Sequence, residues 1–318
     1  MFTADSLLLW IIAGAFAVLC GGTLVRIVSL RGATPDVVQS RIASLKTWWI
    51  LAGLVTVAVL CGKPGILILL CVAGVLALRE LVSLVGREHV GMPTAIVVFT
   101  LALVYYLLLF PGNGERVRQA APVVFVIVLG GTRALLGLIE GYVRSTAAMI
   151  WGLMLFVYCL SHAYFVIESS SVSEPPAGNV GWFLFLLLLT ETNDIMQAIT
   201  GRRFGNTKIT PRVSPNKSLE GLLGGMATTI VLAVVSAPWL TGLTLGRSFR
   251  EGFLISAGAG VLISLFGFLG DINMAGMKRD VGVKDGSSLL PGQGGMIDRI
   301  NSLTFTAPVF YYFVRLVM

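Results

Sequence analysis

Charge is what this chain has least of. Only 12% of its 318 residues are charged, against 56% that are hydrophobic. A soluble domain of that length could not hide so much apolar surface, so the composition excludes one and defines a polytopic membrane protein. Histidine is scarce, with two residues. His89 reads as a solvated loop residue and His162 as one hydrogen-bonded among helices. The four cysteines, Cys20, Cys61, Cys71 and Cys159, all lie inside apolar runs. They form neither a metal spacing nor a disulfide framework, and read as small packing residues. No basic stretch precedes the long first apolar run, so the N-terminus reads as a retained span rather than a cleaved signal peptide. There is no internal repeat and no soluble domain.

What the chain does have is apolar segments of spanning length. They fall near 6–28, 47–62, 65–84, 93–110, 121–139, 147–167, 179–200, 220–244, 252–275 and 302–317. The second, third and last are short, so the fold class is an all-α integral membrane protein, a polytopic bundle of about nine to ten transmembrane helices. Six spans make up an N-terminal region, 1–178, and the rest a C-terminal catalytic region, 179–318, with loops at 201–219 and 276–301. Trp48, Trp49, Trp151 and Trp182 sit near span ends, as interfacial aromatics do.

The net charge of +7 does not indicate nucleic acid, because the basic residues are spread over short loops rather than along one face. It serves topology instead. With loops near 29–46, 85–92, 140–146, 201–219 and 276–301 on one side, only Lys63, Arg116, Arg118, Arg247, Arg250 and Arg315 of the 23 basic residues fall on the other. The positive-inside rule makes the richer side cytoplasmic and the N-terminus external. The loop at 168–178 holds Glu168 and Glu174 and no base, in agreement. A multi-pass protein of a prokaryotic inner membrane is expected.

The first half offers little chemistry. Arg79 and Glu80, at the inner end of a span, read as an interfacial ion pair. Scattered glycines such as Gly221, Gly224, Gly225, Gly258 and Gly260 read as close helix packing. The second half differs. Glu191 and Asp194 are three apart on a helix and share a face, with Gln197 one turn on. Lipid would not accept that face, so it points into the bundle or a wet cavity. A break at Gly201 and a basic loop follow, carrying Arg202, Arg203, Lys208, Arg212 and Lys217. The stretch 271–301 then holds Asp271, Asp280, Asp285 and Asp298 against Lys278, Arg279, Lys284 and Arg299, with a Pro-Gly-Gln-Gly-Gly turn. Carboxylates at membrane depth are costly and mark function. This mixture suits a metal-bound anion, since carboxylates hold Mg²⁺ while Lys, Arg and glycine backbone hold phosphate.

At these residues the sequence resembles the phosphatidate cytidylyltransferase family (CDP-diacylglycerol synthases). The family's C-terminal signature is matched with unbroken spacing by Met277, Lys278, Arg279, Lys284, Asp285, Ser287, Leu290, Pro291, Gly294, Gly295, Met296, Asp298, Arg299 and Ile300, preceded by Gly270-Asp271. A second motif is matched by Asp194, by Gly201-Arg202-Arg203-Phe204-Gly205 and by Ser214 through Gly221. The resemblance covers about 186–312; upstream it is only a similar pattern of spans. Three positions depart from the signature: Ala275 for Ser, Gln293 for His and Asn301 for Asp. Gln293 cannot carry a proton or a charge, and Asn301 removes a negative charge.

The resemblance implies transfer of CMP from CTP to phosphatidic acid, giving CDP-diacylglycerol and pyrophosphate. It implies Mg²⁺ on Asp271 and Asp298, with a second cation left open. Lys217, Lys278 and Arg279 would join them as catalytic residues, binding triphosphate or lipid phosphate. Asp194, Ser214, Lys284, Asp285 and Arg299 would line the substrates. Gly294 and Gly295 would let backbone N–H groups approach a phosphate. CTP, phosphatidic acid and the bilayer are the expected partners, with no nucleic acid and a homodimer left open. Two other readings stand beside this one: a cytidylyltransferase for another lipid phosphate, such as an isoprenoid one, and a non-catalytic or transport protein. A transporter is disfavoured because polar clusters occur only in the second half.

The orientation has a direct test. In a chain whose four cysteines are replaced by alanine, Asn206→Cys is expected to react with a membrane-impermeant maleimide only in inside-out vesicles. Reaction only in right-side-out vesicles would invert the topology.

Overall fold

The computed structural model describes residues 4–31, 34–110, 114–169, 175–283, 286–287 and 289–318. Ten long helices run through them. They are α1 (Ala4–Ser29), α2 (Pro35–Leu60), α3 (Gly62–Val85), α5 (Met92–Leu109), α6 (Gly114–Leu135), α7 (Tyr142–Leu153) continued by α8 (Leu160–Ser169), α9 (Val180–Phe204), α10 (Leu219–Leu240), α11 (Phe249–Asp280) and α12 (Ile297–Val317). A π-helical turn, Met154–Cys159, joins α7 to α8, and a single turn, α4 (Arg87–Val90), precedes α5. Eight of the long helices are apolar enough to cross a membrane by length and composition alone. The other two, α9 and α12, carry Glu191, Asp194, Asp298 and Arg299 within their length. All ten expected segments are thus helices.

Several boundaries differ from the hydropathy reading, always because a helix continues into polar sequence. Pro35 stands in the first turn of α2, where its missing N–H costs nothing, so residues 35–46 are helical rather than loop. α11 runs on to Asp280, which places Lys278 and Arg279 on a helix. α12 begins at Ile297, which places Asp298, Arg299 and Asn301 in its first turns. α9 runs on to Phe204, so there is no break at Gly201 and Arg202 and Arg203 are helical; nor is the rest of the 201–219 loop wholly irregular. It contains an antiparallel hairpin of β1 (Lys208–Thr210) and β2 (Ser214–Ser218), turning through Pro211 and Arg212. The last residue of β2, Ser218, caps α10 by accepting the Gly221 N–H at 3.2 Å. Ser248 and Glu251 form a capping box that starts α11.

The C-terminal helices pack through small residues, as expected. A Cβ at Gly221 would lie 2.9 Å from the Gln197 carbonyl oxygen, and one at Gly225 would lie 3.1 Å from Asn193 Oδ1, which fixes α10 close against α9. A Cβ at Gly260 would lie 2.8 Å from Ile230 Cα, and one at Gly270 2.6 Å from the Asn301 carbonyl oxygen. These contacts draw α10, α11 and α12 together around the polar faces of α9 and α11. Two aromatic and polar readings need correction. Trp182 is fully buried against Phe310, with ring centroids 6.2 Å apart, and is not an interfacial anchor. Arg79 and Glu80 form no ion pair, because Arg79 is exposed while Glu80 turns inward and is buried. His162 is buried and hydrogen-bonded to the Tyr158 carbonyl at 2.9 Å, as read.

The glycine contacts predict a cost. Gly260→Val is expected to destabilise the folded protein by about 1–3 kcal/mol through overpacking, read as a lower melting temperature in detergent. An unchanged melting temperature would show that α10 and α11 can separate freely at this point.

Candidate active site

The site forms where α9, α11, β2 and the start of α12 meet. Asp271 projects from α11 and forms an ion pair with Lys217 of β2 through Oδ2. Its Oδ1 accepts a hydrogen bond from Asn301 Nδ2. One face along, Lys278 forms an ion pair with Asp298 Oδ1. The other Asp298 oxygen, Oδ2, accepts the backbone N–H groups of Gly286 at 3.2 Å and Gly295 at 3.1 Å. The four charged side chains are largely enclosed, between 12 and 23% exposed. In such surroundings an isolated charge would be costly, and each lysine offsets one carboxylate. Asp271 and Lys278 are seven residues apart, two helical turns, which is why one face of α11 carries both.

Other residues complete the field. Asp194 neighbours Asp271, Glu191, Lys217 and Ser302, and Glu191 lies within electrostatic reach of Arg299 and Asp271. Buried Asn193 supports this face: its Oδ1 accepts the Thr229 hydroxyl at 3.3 Å and its Nδ2 donates to Asp194 Oδ1 at 3.4 Å. Lys217 also stacks its ammonium 5.7 Å from the centre of the Phe268 ring. Among the described residues, Glu80, Glu191, Asp194, Asp271 and Asp298 thus gather with Lys217, Lys278 and Arg299.

The expected residues do not all converge. Asp194, Lys217, Asp271, Lys278, Asp298 and Arg299 do. Arg279 is exposed and donates from Nε to the Val213 carbonyl at 3.4 Å, so it secures the hairpin turn. Ser214 lies at the start of β2, paired with Thr210. Gly294 adopts φ +86°, a conformation open to glycine, and a Cβ there would sit 2.7 Å from Asp298 Oδ2. Gly295 gives its N–H to Asp298, as already noted. Lys284 and Asp285 lie outside the described residues. Among the described residues no three acidic, histidine or cysteine side chains converge closely enough to hold a metal ion by themselves.

Two contributions were not expected. The helical extension of α2 clamps the Pro-Gly-Gln-Gly-Gly turn: Thr47 donates to the Pro291 carbonyl at 2.9 Å, and Gln293 Nε2 donates to Ser44 Oγ at 2.9 Å and to the Ser44 carbonyl at 3.2 Å. Gln293 therefore serves as a strut. Glu80 of α3 reaches the same loop, with Oε2 accepting the Ile297 N–H at 3.3 Å. Its only local signal was a glutamate at a span end. Nothing nearby in sequence indicates a partner 217 residues away.

The fold and site define a class: a helical membrane protein that concentrates lysine-paired carboxylates where helices end, an arrangement suited to handling phosphates. Comparison with known proteins sharpens this. Residues 42–317 match the Cytidylyltransferase family, and the chain belongs to it. It is 34% identical over 276 residues to YnbB, an uncharacterized protein of Escherichia coli (strain K12), covering 85% of this chain and 86% of that one. It is 42% identical over 135 residues to the phosphatidate cytidylyltransferase of Haemophilus influenzae, covering 42% of this chain and 46% of that one. It is also 29% identical over 249 residues to that of Staphylococcus aureus (strain COL), covering 77% of this chain and 89% of that one.

Asn301 gives this site a distinguishing test. Asn301→Asp replaces a donor to Asp271 with a like charge, which costs stability when no cation is present. The melting temperature is expected to fall without divalent cation, and to rise more on adding Mg²⁺ than wild type does, since a ligand that binds the folded state stabilises it by mass action. A variant that melts like wild type with and without Mg²⁺ would contradict a role for position 301 in the local charge balance.

Proposed function

We propose that this chain transfers CMP from CTP to phosphatidic acid, releasing pyrophosphate and forming CDP-diacylglycerol. The observation that carries the reading is the pair of enclosed lysine–carboxylate contacts, Lys217–Asp271 and Lys278–Asp298, at the motifs the family shares. Relatives named phosphatidate cytidylyltransferase, one aligned over most of this chain, support the choice of substrates. A cavity of about 500 Å³ opens beside α11, lined by apolar side chains such as Leu81, Trp151, Ile272 and Met277 together with Arg144 and Asp280.

The chemistry asks for positioning rather than a strong base. A phosphate oxygen of the lipid, already ionised at neutral pH, attacks the α-phosphorus of CTP. The new oxygen–phosphorus bond forms as the bond to the β-phosphate oxygen breaks, and pyrophosphate carries the electron pair away. Such transfers depend on alignment and on stabilising charge. Lys217 and Lys278, now paired with carboxylates, would hold phosphate oxygens, and Arg299 near Glu191 would add positive potential. Mg²⁺ fits the donor set: it takes one or two carboxylates and completes its shell with water and substrate phosphates, so it does not need three converging ligands. Asp271 and Asp298 would hold it, with Asp194 nearby, and when bound it neutralises charge on the triphosphate. The expected orientation puts the site at the cytoplasmic face of an inner membrane, with CTP arriving from water and lipid from the inner leaflet.

Purified protein is expected to release pyrophosphate from CTP only with both Mg²⁺ and phosphatidic acid. Asp298→Asn should lower that rate by at least about a hundredfold, as loss of a group that stabilises developing charge does, while the protein stays folded in detergent. Folded wild type that releases none with phosphatidic acid, but does so with an isoprenyl phosphate, would move the reading to another lipid acceptor. Release with neither would exclude the enzyme.

A further inference from the structure

Glu80 is the carboxylate of the site that comes from the N-terminal helices, and none of the motifs above includes it. It is 5% exposed. Its Oε2 accepts the N–H of Ile297, the first residue of α12, whose own N-cap residue, Met296, supplies no side-chain cap. First-turn amides have no acceptor within their helix, and a negative charge there is favoured by the helix dipole. Glu80 therefore caps α12 from another helix. Its Oε1 is buried with no hydrogen-bond partner within normal geometry among the described residues, and Ser287 lies beside the carboxylate. It lies against Gly286 and Gly295, where a Cβ would overlap the Glu80 carboxylate. Those same two glycines donate their N–H groups to Asp298 Oδ2. Glu80 and Asp298 thus share one loop lining, and Asp298 is the residue immediately after the capped amide.

A serine or threonine at the N-cap itself would close the helix without burying a charge. A buried carboxylate is a costly substitute. Its placement ties three things together at once: α3, the loop around 286–295 and the first turn of α12. We propose that Glu80 is a positioning residue, delivered by α3, that holds the start of α12 and this loop so that Asp298 faces Lys278 and the reacting phosphates. The proposal rests on the cytidylyltransferase reading for its kinetic consequence but not for its structural one.

The test uses the full chain in detergent, as Glu80→Ala, Glu80→Gln and, for comparison, Leu78→Ala. Leu78 is a fully buried residue of the same helix. Amide hydrogen exchange over 286–300 and the kinetics of pyrophosphate release are measured on each. Glu80→Ala is expected to speed exchange at Ile297 and Gly295 about tenfold. It should lower kcat about tenfold or more with little change in KM for CTP, the pattern for a lost transition-state contribution. Glu80→Gln keeps an acceptor for Ile297 and is expected to retain at least about a third of kcat and slow exchange. Leu78→Ala should lower the melting temperature without that local exchange signature or the kcat loss. The proposal is overturned if Glu80→Ala exchanges and turns over like wild type. It is also overturned if folded Glu80→Gln is as inactive as Glu80→Ala, which would assign the charge a direct role, or if Leu78→Ala reproduces both effects. Exchange needs no turnover, so an inactive wild type would sink the functional reading while leaving the exchange result to judge Glu80.

Discussion

Enclosing carboxylates among membrane helices is the constraint on which the rest of this structure depends. A buried, unpaired charge is expensive enough to unfold a helix pair or to lose its charge. Here Lys217 and Lys278 are brought to Asp271 and Asp298 as ion-pair partners. The two lysines arrive by different routes. Lys278 shares a helix with Asp271, whereas Lys217 is carried in by a short hairpin between α9 and α10. The hairpin is thus more than a connection. Its backbone sets the depth at which one ammonium meets one carboxylate, and Arg279 fastens its turn to α11.

The same pairs connect fold to chemistry. On the proposed function, a phosphate-bearing substrate would exchange each pair for another arrangement, with lysine moving to phosphate and carboxylate to cation. On that reading, a divalent cation would take Asp271 and Asp298 as its carboxylate ligands. The small residues that pack α9 to α10 and α11 to α12 matter for this exchange. They let the backbones approach closely beneath the charged pairs.

The sequence made much of this visible and hid the rest for identifiable reasons. Polar residues inside apolar runs are conspicuous, so Asp194 and Asp271 could be found by their cost alone, whereas Asp298 lies in the polar 276–301 stretch and was found through the family signature. Lys217 and Lys278 could be assigned because they stand in spaced motifs beside them. The helix limits were harder, since hydropathy ends where polar residues begin while the helix itself continues. That is why the starts of α2 and α12 and the end of α11 were misplaced; Pro35 was the local signal for the first. The hairpin was hidden because Pro211 and Pro215 interrupt any alternating pattern. Glu80 was hidden for a deeper reason. An Arg-Glu pair at a span end has an ordinary interfacial explanation, and only tertiary structure reveals that the glutamate turns inward. Gln293 likewise shows its use only once α2 lies beside it.

The most direct test of this account is an experimental structure of the protein with Mg²⁺ and a CTP analogue whose α–β bridge cannot be cleaved. The account predicts that the Lys217 and Lys278 ammonium groups lie on triphosphate oxygens and that Asp271 and Asp298 face the metal ion. Nucleotide bound elsewhere, with both lysines still paired to their carboxylates, would contradict it.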